Sequence, residues 1–348
     1  MAKLMLFGAG NKTRHLFSDR RFQLCLEVQQ DEVVGIIDND TKKRGQLIQG
    51  IQIRGIEEVE SVEWDYIVIS SIYHSEIRKQ LIDVLHISDE KVINIDDFLN
   101  VRFVCHQYMR NNDRNKKNNV SYLHKFNPQS VVIYTAISGD YDELKEPCFV
   151  DDNIKYVCFT NNRELHSRVW EIQYADIPEN MEARYWVRKF KVLPHLFFPE
   201  YETSIWVDAS LSILQDLRKY MTQYQKTSDI LFFPHYTRDC VYDEGAICMV
   251  WKKDHKKNLA AQMHAYYEEG YPEHNGLVQG GCIVRNHNEK KIINVMEEWW
   301  GEITRFSKRD QVSLPYVLYK NKCFYDLCNL YYEDNFWIKN TGHKQKEI

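Results

Sequence analysis

One apolar segment ends in a lone carboxylate between small residues: Ser204-Ile205-Trp206-Val207-Asp208-Ala209-Ser210. Open α/β sheets bind ligands at the carboxyl ends of their strands. A carboxylate there can hold a divalent metal such as Mn²⁺ or Mg²⁺, which in turn neutralises a diphosphate. Arg184, Arg188 and Lys191 recur at i, i+4 and i+7. That spacing places three cations on one helix face, where they can meet the same diphosphate. Asp310 follows Arg309 at the start of an apolar helical pattern. A carboxylate there can act as a base or anchor a hydroxyl, and it can equally cap the helix. Near the N-terminus Gly8-Ala9-Gly10-Asn11-Lys12-Thr13 follows a short apolar run, with Asp38 after the next one. Glycines between a strand and a helix let backbone approach a phosphate, and an acidic side chain at the second strand can accept from ribose hydroxyls. Thr13 stands where the dinucleotide fingerprint has its third glycine.

The elements that must position these groups fall into two series. The chain has 348 residues, enough for about two domains of roughly 150 residues. Lys3–Phe7, Val33–Ile37, Tyr66–Ser70 and Val92–Ile95 read as strands, with helical spacing over Lys12–Gln29 and His74–Leu85. Continuous apolar strands alternating with helices predict a parallel, Rossmann-like α/β sheet over residues 1–100. A second α/β series starts at Val131–Ile137 and occupies 131–348. Between them, 101–130 holds six Arg/Lys against one Asp, and 111–119 contains five Asn. This stretch has few apolar residues and reads as a basic linker. Its net of +5 could draw it to an anionic membrane face.

Composition narrows the function classes. The net charge is −5, and removing the basic stretch leaves −10 for the rest, which argues against a nucleic-acid binder. No apolar run approaches the roughly 20 residues of a membrane span, and the start does not read as a signal peptide. The nine cysteines are scattered and without a CxxC. They predict free thiols and a reducing, cytoplasmic setting.

Two resemblances add to this reading. FGAGNKTRHL, VVGIIDND, GIQIRGIEEV and YIVISSIYHSEIRKQL, in this order, resemble Rossmann-like modules that accompany enzymes of polysaccharide synthesis. That implies either a docking unit or a sugar nucleotide at Gly8, Gly10, Asn11 and Asp38, where the glycine loop itself leaves NAD open as the ligand. Further on, Tyr134–Asp142, Lys191-Val192-Leu193-Pro194-His195, Ser204–Asp208, His235–Cys240, Asn275-Gly276-Leu277 and Ser307–Gln311 follow one another. This set resembles the glycosyltransferase-like domain of plant turgor-regulation-defect and mucilage-related proteins and of bacterial polysaccharide-locus proteins. The resemblance covers about residues 130–330. It implies an A-type glycosyltransferase fold and transfer from a nucleotide sugar to a glycan or lipid-linked acceptor in surface-polysaccharide synthesis.

The resemblance also suggests roles. Thr135, Asp140, Arg184, Lys191, Asp208 and Ser210 would face the donor. His235, Arg238, Asp239, Glu244, Gly276 and Arg309 would face the sugar or acceptor, and Arg285 follows the adjacent strand. Asp208 and Asp310 would be the catalytic carboxylates, with His343 joining Asp208 as a metal ligand. Such folds carry Asp-x-Asp where this chain has Asp208-Ala209-Ser210. That departure keeps open a binding protein without transfer. The residues also leave room for a glycosidase using Asp208 and Asp310, and for an NAD-dependent enzyme run by the N-terminal domain.

Overall fold

The computed structural model describes residues 1–118 and 130–344. The chain forms two α/β units, Met1–His106 and Gln107–Ile348.

The first unit carries strands β1 (Lys3–Phe7), β2 (Glu32–Ile37), β3 (Leu47–Ile48), β4 (Ile51–Arg54), β5 (Tyr66–Ile69) and β6 (Val92–Asn94). Their order in the sheet is β3-β4-β2-β1-β5-β6, parallel except for the β3–β4 hairpin. The hairpin was not expected from the sequence. Gln49 and Gly50 close it, both at positive φ (49° and 80°), as a tight two-residue turn requires. The expected helix over Lys12–Gln29 is two helices, α1 (Asn11–Leu16) and α2 (Arg20–Glu27). The break lies at Asp19, whose carboxylate accepts from the Arg21 amide and starts α2. Helix α3 is His74–Lys79.

Helix α4 (Ile95–Lys117) replaces most of the expected linker. Its second half docks through polar groups. Asn111 and Asn115 donate to the Tyr325 carbonyl at 2.8 and 3.1 Å. Arg114 donates to Asn275, and Arg110 to Asp239 and the His274 carbonyl. Arg102 pairs with Asp31. Three cations counted toward membrane contact therefore have protein partners. The rest of the expected linker, 119–129, lies outside the described residues. Among the described residues no helix is long and apolar enough to cross a membrane.

The second unit is built on β7 (Val131–Ile137), β8 (Lys155–Thr160), β9 (Glu171–Tyr174), β10 (Thr203–Val207), β12 (Ile230–Pro234), β13 (Val278–Arg285) and β14 (Asp326–Leu327). The order is β14-β12-β13-β10-β7-β8-β9. β10 runs parallel to β7 and antiparallel to β13, so the sheet is mixed. Helices α5 (Ala183–Val192), α6 (Leu217–Tyr224), α7 (Val241–Val250), α8 (Lys256–Glu268), α9 (Lys290–Arg305) and α10 (Asp310–Lys320) cover it. Helix α5 stops before Pro194, where the sequence suggested a kink or an end. A small second sheet pairs β11 (Leu211–Ile213) with β15 (Ile338–Asn340). It returns the C-terminal stretch to Ser210, whose carbonyl accepts from the Thr341 amide at 2.9 Å.

Candidate active site

Every residue of β10 is buried, so the strand delivers Asp208 at its carboxyl end as a fixed point. The Asp208 carboxylate is 31% exposed. Its Oδ1 accepts from Trp206 Nε1 at 2.6 Å and lies 3.5 Å from Lys191 Nζ. The same ammonium lies 2.6 Å from Asp310 Oδ2, and Arg188 reaches the other oxygen of Asp310 at 3.1 Å. Lys191 and Asp310 are both buried. Asp310 is the first residue of α10, and its carboxylate faces these cations instead of capping the helix. Arg285, fully buried, donates to the Lys191 carbonyl and the Tyr134 hydroxyl. It fixes the end of α5 and takes no place in the cleft.

Two glycines of β13 make room for this constellation. A Cβ on Gly280 would stand 3.1 Å from Lys191 Nζ. A Cβ on Gly281 would collide with the Tyr332 hydroxyl and lie 3.2 Å from Asp208. Burial, and then the Asp208 anion, hold the Tyr332 phenol well above its ordinary pKa, so it stays protonated. Burial also opposes ionisation of Asp310, but Arg188, Lys191 and Arg309 outweigh it and hold the carboxyl far below the usual range. So depressed a carboxylate is a weak base, and at neutral pH it carries no proton to donate. That removes the glycosidase role in which Asp310 is the acid.

The constellation opens into a cleft of about 570 Å³. Of the expected donor-side residues, Arg184, Lys191, Asp208 and Ser210 line it. His235, Arg238, Glu244, Arg309, Asp310 and His343 line it as well. Four expected residues do not. Thr135 is interior to β7. Asp140 is exposed, while Asp142, two residues on, lines the cleft. Asp239 binds His274 and Arg110, and Gly276, at φ +100°, lies beside Tyr325. Both belong to the docking of α4.

A divalent ion at Asp208 fits poorly. One oxygen already takes the indole N–H and lies near an ammonium, and Ser210 replaces a second carboxylate. His343 Nδ1 is engaged by Asp142 at 3.0 Å. Among the described residues no set of three His, Cys, Asp or Glu at ligand spacing includes Asp208 or His343.

The first unit has a cavity of about 620 Å³, and Gly8, Gly10, Asn11 and Asp38 all line it. Gly8 sits at φ +108°, strained for any side chain, and a Cβ there would crowd Ser71 and the Ser70 carbonyl at 3.2 and 3.3 Å. Asp38 is engaged by its own loops: it accepts from the Ala9 and Asp40 amides at 2.6 and 2.8 Å and pairs with Lys43. Thr13, in the third-glycine position, bridges the Gly8 carbonyl and the Ser70 hydroxyl.

Residues 168–335 match the family described as TOD1/MUCI70, glycosyltransferase-like domain. This part of the chain is similar to the glycosyltransferase-like domain of that family. The match leaves out Val131–Leu144, which the resemblance had included. Residues 1–93 match the family described as C2185-like, N-terminal. The chain is 22% identical over 218 residues to the probable hexosyltransferase MUCI70 of Arabidopsis thaliana, covering 54% of this chain and 37% of that protein's length. Mouse xyloside xylosyltransferase 1 is similar with a TM-score of 0.35 and 8% identity, over 57% of this chain and 84% of that one. The bifunctional glycosyltransferase WbbM gives a TM-score of 0.36 and 12% identity, over 59% and 39%. UDP-D-quinovosamine 4-dehydrogenase from Vibrio fischeri gives 0.20 and 23%, over 28% and 83%.

Within the glycosyltransferase-like domain, His235 organises the far wall. Its Nδ1 accepts from the Thr237 and Arg238 amides at 3.2 and 3.1 Å. The neutral ring therefore carries its proton on Nε2. Glu244 holds Arg238 at 2.6 Å. Burial, with Arg238 adding to it, lowers the His235 pKa to about 3. Since the unfolded chain protonates near 6.5, folding stability is present above that value and falls as pH drops below it. The loss reaches on the order of 2 kcal/mol by pH 5. Asparagine keeps an acceptor near the Nδ1 position and does not titrate. His235→Asn is expected to reduce the slope of the stability profile between pH 6.5 and 5 in urea titrations, leaving the part that buried His287 supplies. An unchanged slope would assign the acid sensitivity elsewhere.

Sequence reasoning missed Arg188's link to Asp310, Tyr332 and Asp142. Arg188 was visible in the i, i+4, i+7 pattern. Tyr332 carried no signal, because it lies in the irregular segment between β14 and β15 and meets Gly281 only through tertiary folding.

Proposed function

We propose that the second unit transfers a sugar from a nucleotide-sugar donor to a glycan or lipid-linked acceptor, in surface-polysaccharide synthesis. The observation that carries this reading is the Lys191 ammonium between Asp208 and Asp310, at the carboxyl end of β10 in an open cleft. Transfer breaks the bond between the anomeric carbon and the diphosphate oxygen and forms one to an acceptor oxygen, whose proton passes to the departing diphosphate. Negative charge grows on the leaving diphosphate, and fixed cations aimed at that charge lower the barrier. Lys191 and Arg188 supply the positive charge, with Asp310 holding both in place, while Arg184 would bind the diphosphate equally before and during transfer. Arg184 lines the cleft and has no ion pair among the described residues. Asp208, the exposed carboxylate of the set, is suited to accept from sugar or ribose hydroxyls. The nine cysteines are free thiols, which supports a reducing, cytoplasmic setting.

The test incubates the full chain with a panel of nucleotide sugars and reads nucleoside diphosphate released. Transfer or slow hydrolysis of one donor is expected. A chain that shows neither release nor a ligand-induced thermal shift with any donor overturns the reading. Removing metal with a chelator is expected to leave the rate within about twofold, because side-chain cations supply the neutralising charge. Loss with chelator and recovery with Mn²⁺ would transfer that role to a metal. Arg184→Ala is expected to raise the donor KM about tenfold with kcat little changed, as for a contact made equally in ground and transition states. An unaltered KM would place the diphosphate elsewhere.

A further inference from the structure

Behind the far wall of the cleft lies a second cluster that this function does not use. Cys240, Asp243 and His274 each bring one ligand atom within 4.8 Å of the others. Cys240 is the residue just before α7, and Asp243 is in the first turn of that helix. His274 comes from the segment between α8 and β13, where its backbone is left-handed at φ +51°. That conformation is uncommon for a residue with a side chain, and here it turns the imidazole toward α7. Its Nδ1 lies 2.7 Å from Asp239 Oδ1, and Asp239 is itself buried and held by Arg110.

We propose that Cys240 Sγ, an Asp243 carboxylate oxygen and His274 Nε2 form a zinc site. The donor set is one thiolate, one imidazole and one carboxylate. This combination suits Zn²⁺, whereas Mg²⁺ and Mn²⁺ favour oxygen throughout. The Asp239–His274 pair is the arrangement that orients metal-binding histidines. A carboxylate accepting from one ring nitrogen fixes the tautomer, so the other nitrogen presents its lone pair. Asp243 is exposed and His274 only half-buried, which leaves the ion a path from solvent. Binding exchanges the thiol proton for the metal, and three protein ligands leave a fourth position for water. The ion would tie the start of α7 to the segment before β13.

The test uses the purified full chain, freed of metal and titrated with Zn²⁺ against a chromophoric chelator, then with Co²⁺. One zinc per chain is expected, with a thiolate-to-cobalt charge-transfer band in the near ultraviolet. Cys240→Ser is expected to abolish the band and to weaken zinc binding at least about a hundredfold. Asp239→Asn, which touches no metal, is expected to weaken it about ten- to a hundredfold. If Cys240→Ser fails to fold, Asp243→Asn on the exposed surface is expected to weaken zinc binding while the thiolate band remains. A wild-type chain that takes up no zinc overturns the proposal. So does cobalt binding without a thiolate band, or binding unchanged in these variants. None of these outcomes depends on transferase activity.

Discussion

Replacing Lys191 by methionine is expected to reduce kcat by about 10²–10³-fold, the loss seen when one preorganised charge-stabilising group is removed from an active site. The side chain is matched in length, so packing around its stem is preserved. What disappears is the ammonium 2.6 Å from Asp310 and 3.5 Å from Asp208. The cleft then keeps two carboxylates with less positive charge between them, which opposes an incoming diphosphate and opposes its departure more. The effect should fall on kcat more than on KM, because charge on the leaving oxygen grows in the transition state. Lys191→Arg is not expected to rescue. A guanidinium is planar and longer than the ammonium, so it cannot place one point charge between Asp208 and Asp310 as Lys191 does. The measurement is donor turnover at a temperature where circular dichroism shows the variant folded. Turnover within about fivefold of wild type would remove Lys191 from the chemistry.

Most strands of both sheets were legible as short apolar runs, but the β3–β4 hairpin and the two-residue β14 were not. The carboxylate at the end of β10 was legible for the same reason. The basic face of α5 was legible by spacing, although reading it as solvent-facing would have missed that Lys191 is buried. Periodicity reports which face carries charge, but not whether opposite charges arrive from α10 to bury it. Helix α4 shows the reverse failure. Its Asn-rich half lacks an apolar stripe, so nothing in the sequence marked it as a docked helix. The stabilising contacts are Asn111 and Asn115 to one carbonyl of a residue 210 or more positions away. Such partners are set by tertiary folding. The same holds for Asp239 and Gly276, whose motif neighbours line the cleft while they face α4.

Asp310→Asn is expected to destabilise the second unit by about 3–5 kcal/mol at neutral pH, the range for removing one partner of a buried ion pair. Asparagine nearly matches the volume, so the loss is electrostatic: Lys191 and Arg188 remain buried without their anion. The pH dependence separates this cause from a packing defect. The folded carboxyl titrates below its unfolded value near 3.9, so its contribution is present above that pH and lost as pH falls below it. The gap between wild type and variant should therefore begin to close below about pH 4, by up to about 1.4 kcal/mol per pH unit, where a packing defect would keep it constant. Urea unfolding across pH 3–7 reads both curves. Adding Lys191→Met to Asp310→Asn should recover about 1–3 kcal/mol relative to additivity, since the orphaned ammonium is then gone. Strict additivity of the two changes would mean that Lys191 and Asp310 act independently. The positioning role given to Asp310 would then fall with it.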